Sequence, residues 1–146
     1  MTNAQPGKVI RHKLDEYADG EYADKHRYML LVDKDAENDT LCFVNLSKIR
    51  GKERKLQYKD NFPLVDYRPL PEPSFAILSS EYIIDDHAML LPYYINGAVS
   101  DNEMERVLAQ RAVIKREMFD KINTRFVTKE NFIQGNTYKQ KYPKRK

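Results

Sequence analysis

Between Lys25 and Ile49 the chain reads KHRYMLLVDKDAENDTLCFVNLSKI, two apolar stretches around a polar turn, and few folds accommodate such a segment. Tyr28 to Val32 and Leu41 to Val44 are short continuous apolar runs, and Asp33 to Thr40 between them is rich in Asp, Asn, Glu and Lys. That pattern predicts a β-hairpin with an exposed loop. Antiparallel pairing returns the chain to where it started, so the entrance, Lys25-His26-Arg27, and the exit, Asn45-Leu46-Ser47-Lys48, share one end of the sheet. An arginine and a hydroxyl meet there.

The remaining elements arrange around that pair. Gly7 to Leu14 reads as a strand, and Asp15 to Asp24, with five acids and the near-repeat EYADGEYAD, as a loop that is either a solvated turn or a gate over a basic groove. Arg50 to Lys55 is polar, and Leu56-Gln57-Tyr58 reads as a short strand. Asn61 to Pro73 holds four of the seven prolines. Proline donates no hydrogen bond, so an extended surface connector is expected there and not a ladder strand. Ser74–Ser80 and Glu81–Asp85 are two further strand candidates, and Asp86 to Ile95 a short helical turn broken near Pro92 and ended by Asn96-Gly97.

Ser100 then opens the best-signed helix, with Glu103 completing a capping box and Val99 with Met104 a hydrophobic staple. Met104, Val107, Leu108, Ile114, Met118 and Phe119 form its apolar stripe, a face for covering a sheet, while Arg106, Gln110, Lys115 and Arg116 face out. Past Phe119 the large apolar residues thin to Phe126, Val127, Phe132 and Ile133. The expected organisation is a mainly β domain with a C-terminal helix over residues 1–120, and a basic, loosely ordered extension over 121–146.

Composition narrows the function. No run approaches the roughly 20 apolar residues of a membrane span, and the N-terminus lacks the apolar centre of a signal peptide, so a cytoplasmic protein with no membrane partner is expected. A single cysteine, Cys42, forms no internal disulfide and reads as a small buried hydrophobe. The net charge of +3 is modest but clustered, with Lys139, Lys141, Lys144, Arg145 and Lys146 at the end of the chain. Lys48, Arg50, Lys52, Arg54 and Lys55 follow Ser47 directly and give the open end of the hairpin a positive rim. His12, His26 and His87 lack metal-ligand spacing, and there is no phosphate loop, GxGxxG or GxSxG, so no metal and no cofactor is expected. Chemistry that needs only a cation, a hydroxyl and a titratable group remains, and cleavage of an RNA phosphodiester qualifies because the 2′-hydroxyl is the substrate's own nucleophile.

The order of motifs supports that direction. Gly7-Lys8-Val9-Ile10, a long loop, His26-Arg27-Tyr28-Met29-Leu30-Leu31-Val32, Phe43-Val44-Asn45-Leu46-Ser47, Ser74-Phe75-Ala76-Ile77-Leu78 with Tyr82-Ile83-Ile84-Asp85, and Gly97-Ala98-Val99-Ser100-Asp101-Asn102-Glu103-Met104 opening a helix resemble the MazF/PemK family of toxin endoribonucleases over about residues 7 to 115. The resemblance implies an SH3-like β-barrel with a covering helix, a homodimer, and sequence-specific cleavage of single-stranded RNA without metal. It also implies a type II toxin–antitoxin system, with an antitoxin protein laid over the active groove. Arg27 takes the place of the family's catalytic arginine and Ser47 that of its active-site Thr or Ser. His26 is the candidate base, with His12 and Glu16 as alternatives, and Lys25, Lys48, Arg50, Lys52 and Arg54 are the expected RNA-binding residues. The second reading is a noncatalytic SH3-like module, from a phage or other mobile element, that binds nucleic acid or protein.

Overall fold

The computed structural model describes residues 4–12, 27–130 and 132. The chain is mainly β: strands β1 (Val9–His12), β2 (Arg27–Asp35), β3 (Thr40–Lys48), β4 (Asn61–Pro63), β5 (Ser74–Asp85) and β6 (Asn123–Val127) share one sheet, with helix α1 (Asp101–Glu117) packed against it. The path β1-β2-β3-β5-β4 is antiparallel throughout, and β6 runs parallel to the second half of β5. Among the described residues no ladder joins β1 back to β4 or β6, so the sheet is open. The outer side of β1 is met instead by a bridge between Ile10 and Tyr94 and by the Ile95 N–H bonded to the Val9 carbonyl. No helix of the described residues is long and apolar enough to cross a membrane.

The hairpin forms as its residues dictate, with longer strands than the apolar runs alone suggested. The Asp35 carboxylate accepts hydrogen bonds from the Glu37 and Asn38 backbone N–H groups and from the Asn38 side chain, and Asp39 takes a positive φ of 52°. This Asx-type turn lets β2 and β3 continue to Asp35 and from Thr40. Both apolar runs are continuous because both sheet faces are covered. On one face Leu30, Val32, Cys42, Val44 and Leu46 pack with Ala76 and Leu78 beneath Val99, Met104, Val107 and Ile114 of the helical layer. On the other, Met29, Leu31, Leu41, Phe43, Tyr82 and Ile84 pack with Leu90, Val127 and Phe132.

Helix α1 starts where its cap predicts, the Ser100 hydroxyl accepting from the Glu103 N–H at 3.2 Å, with Val99 and Met104 both buried. The Glu103 carboxylate does not close a capping box. It accepts from the Val65 and Asp66 N–H groups at 3.0 and 3.2 Å and pairs with Arg106, which clips the proline-rich connector to the helix. Further along, Arg111 pairs with the buried Glu81 of β5 at 3.0 Å, and the Gln110 side chain donates to the Lys59 carbonyl. Leu108 and Phe119 are exposed and lie outside the buried stripe.

Several stretches differ from the sequence expectation. Leu56 and Gln57 belong to a 3-10 helix, Glu53–Gln57, and not to a strand. Asn61–Pro63 of the connector does join the ladder, tolerated because β4 is an edge where the missing proline donor faces no partner strand. The two strand candidates after Pro73 are one twelve-residue strand, β5, whose pairing with β3 jumps from Val44–Glu81 to Asn45–Ile77 at a bulge over the small polar residues. Residues 123–127, expected in a loose extension, form β6. Val127 and Phe132 are buried there, whereas Phe126 is 74% exposed. The acidic loop and the basic C-terminal run lie outside the described residues.

Candidate functional site

At the open end of the hairpin the last registered pair of β2 and β3 is Tyr28 with Leu46. Arg27 precedes the one and Ser47 follows the other, so the two project from neighbouring strand ends on the same face of the pleat. Both line a cleft of about 300 Å³. Ser47 pairs in register with Phe75 and Lys48 with Ser74, so the start of β5 forms one side of the cleft, and Pro71 and Glu72 at the end of the connector form its lip. The clip at Glu103 thus bears on the site, because it fixes the path of the segment that supplies this lip.

The opposite side comes from the basic run after β3. The chain turns at Gly51, whose φ of 81° suits a residue without a side chain, and winds into the 3-10 helix, which brings Lys52 and Lys55 over the cleft. The Lys52 ammonium is half-buried and donates to the Ser47 Oγ at 2.9 Å. A hydroxyl oxygen that accepts from an ammonium keeps its own hydrogen for another acceptor, so Ser47 is set up as a donor toward the cleft. Four cations, Arg27, Lys48, Lys52 and Lys55, line the cleft against one carboxylate, Glu72. That carboxylate is engaged by Arg50 at 3.3 Å, an exposed pair of small net energy. The cleft therefore carries a positive potential suited to phosphate.

The residues singled out from sequence are distributed as follows. Arg27, Ser47, Lys48 and Lys52 come together in the cleft. Arg50 points instead to Glu72, and Arg54 is exposed on the 3-10 helix, neither among the lining residues. Lys25, His26 and Glu16 lie outside the described residues. His12 is the register partner of Arg27 across β1 and β2. Among the described residues, no three His, Cys, Asp or Glu side chains gather within reach of one metal ion.

Asn45 is the lining residue that sequence reasoning misread. Taken as part of a polar exit, it is 1% exposed and sits at the floor of the cleft. The signal was its position two residues from both Phe43 and Ser47, which places it on the face shared by the core and the site. Comparison with family models and with curated proteins yields no match to this sequence.

Proposed function

We propose that the protein is a toxin-like endoribonuclease that binds single-stranded RNA across the cationic cleft and cleaves it without metal, on an SH3-like barrel of the MazF/PemK type. The observation that carries this reading is the convergence of Arg27 and Ser47 in one cleft rimmed by Lys48, Lys52 and Lys55. In the reaction the 2′-oxygen loses its proton to a base and bonds to phosphorus, the P–O5′ bond breaks, and the 5′-oxygen takes up a proton from an acid. A 2′,3′-cyclic phosphate and a 5′-hydroxyl result. Arg27 offers a planar fork of donors for the phosphorane oxygens. Ser47, held by Lys52, donates to a third, and the lysines neutralise the flanking phosphates. His26, His12 and Glu16 are the candidate bases. In this reading the protein acts as a homodimer in the cytoplasm, within a type II toxin–antitoxin system whose antitoxin protein covers the cleft.

One observation favours the second reading, a noncatalytic binding module. Among the described lining residues, the sole carboxylate at the cleft is Glu72, already paired with Arg50. A single assay separates the two. Single-stranded RNA is incubated with the protein in EDTA, beside Arg27→Ala and Ser47→Ala. Cleavage to cyclic-phosphate ends is expected, reduced about 10²–10³-fold in each variant, the usual loss when one donor to a developing oxyanion is removed. RNA that is bound but stays intact at high protein concentration would leave only the binding module.

A further inference from the structure

The floor of the cleft holds a buried amide whose hydrogen bonding is half complete. Asn45 donates through Nδ2 to the Tyr82 hydroxyl at 2.9 Å and to the Ser80 Oγ at 3.3 Å, while its Oδ1 is buried with no hydrogen-bond partner. Tyr82 and Ser80 lie beyond the β5 bulge, on the core side of Asn45, whereas Ser47 and Phe75 lie on the cleft side. The nitrogen is thus committed to Tyr82 and Ser80, and the carbonyl oxygen is left without a partner on a residue that lines the cleft. Buried acceptors are nearly always paired, so an orphan at the bottom of a cleft marks where a donor is missing.

The rest of the cleft describes the group that carries this donor. Arg27, Lys52 and Lys55 supply donors at the rim. The volume of about 300 Å³ is at the small end for ligand pockets and suits one unstacked base. A nucleotide matches the layout, with its phosphate at the rim and its base on the floor, the way proteins read single-stranded RNA. Cytosine and adenine each present an exocyclic amine beside a ring nitrogen acceptor, which complements an acceptor floor and a donor rim. Uracil and hypoxanthine place a carbonyl oxygen where the amine stood, setting lone pair against lone pair.

Resting on the reading that RNA occupies this cleft, we propose that the site selects an amine-bearing base, cytosine or adenine, next to the bound phosphate, and that Asn45 Oδ1 is the specificity-determining acceptor. The test uses the full chain and 2′-O-methyl pentanucleotides, which are not cleaved, so the result is independent of nuclease activity. Fluorescence anisotropy compares UUCUU with UUUUU, and UUAUU with the same sequence carrying central hypoxanthine. Each amine-bearing member is expected to bind at least about tenfold tighter than its keto counterpart, the discrimination typical of a buried hydrogen bond gained or lost. In Asn45→Leu both ratios fall to about one. Equal affinity within each wild-type pair, or a preference for the keto base, overturns the proposal while RNA binding stands. A folded Asn45→Leu that keeps the wild-type ratios overturns it also. If none of the oligonucleotides binds, the RNA reading and the proposal fall together. The wild-type pairs decide the matter even if the variant does not fold.

Discussion

Replacing Glu103 with alanine should destabilise the fold markedly. Its carboxylate is 4% exposed and accepts two backbone N–H bonds, from Val65 on one oxygen and Asp66 on the other. Alanine leaves both donors without that acceptor. Hydrogen bonds to a charged group contribute about 1.5–3 kcal/mol each, so the pair amounts to roughly 3–6 kcal/mol. The contact with Arg106 adds little, since that side chain is 46% exposed. At about 2–4 °C per kcal/mol for a chain of this size, the melting temperature should fall by roughly 6–24 °C. Glu103→Gln keeps one carbonyl acceptor but sets an NH2 against the other donor, so it should lose about half as much. Glu105→Ala, an exposed acid on the same helix, should change stability by less than about 0.5 kcal/mol. Urea unfolding followed by circular dichroism, with an unchanged m-value, reads all three. A Glu103→Ala loss below about 1 kcal/mol, or a glutamine variant as damaged as the alanine one, would refute the assignment of Glu103 as the clip of the connector.

Two further outcomes follow from titration. His87 has both ring nitrogens buried without hydrogen-bond partners, and burial, aided by the nearby Lys129 charge and opposed by Asp85, Asp86 and Glu130, holds its pKa below 6.5. The unfolded chain then takes up the proton first, so stability declines as pH falls through about 6.5 toward the folded pKa. His87→Phe should remove that part of the pH dependence, and equal slopes for the two proteins between pH 7.5 and 5.5 would contradict it. Cys42 is 7% exposed. Burial and the Glu81 charge push its thiol from 9.0 up to about 11, against the opposing pull of Arg111, which lowers the thiolate fraction near neutrality about a hundredfold. Alkylation at pH 8 should be slow in the native protein and rapid in urea, and fast native labelling would show the site to be open.

Much of the local architecture was legible because its causes act within a few residues. The hairpin, the Ser100 cap, the Val99–Met104 staple and the buried character of Cys42 were read from neighbouring side chains and appear as read. Errors fell where pairing with distant chain decides the outcome. Asn61–Pro63 reads as connector because of its proline, yet the start of β5 offers it an edge. Residues 123–127 look too polar to order themselves, but β5 offers a second free edge beyond its bulge, and the backbone ladder holds β6 there with Val127 as its one buried side chain. Leu56 has the composition of a strand residue, but no partner strand adjoins it, and the turn at Gly51 carries the chain into a 3-10 helix instead.

The amino-acid sequence by itself determined that an arginine and a serine hydroxyl would meet at one end of a hairpin with lysines behind them, since antiparallel pairing and side-chain alternation require nothing beyond the two strands. Tertiary structure alone decided which lysines face the cleft, that Lys52 holds Ser47 while Arg50 turns to Glu72, and that Asn45 is buried with an unpaired carbonyl oxygen. Those outcomes depend on the register of β5 against β3 and on the path of the clipped connector, contacts between residues far apart in the chain that no local pattern encodes.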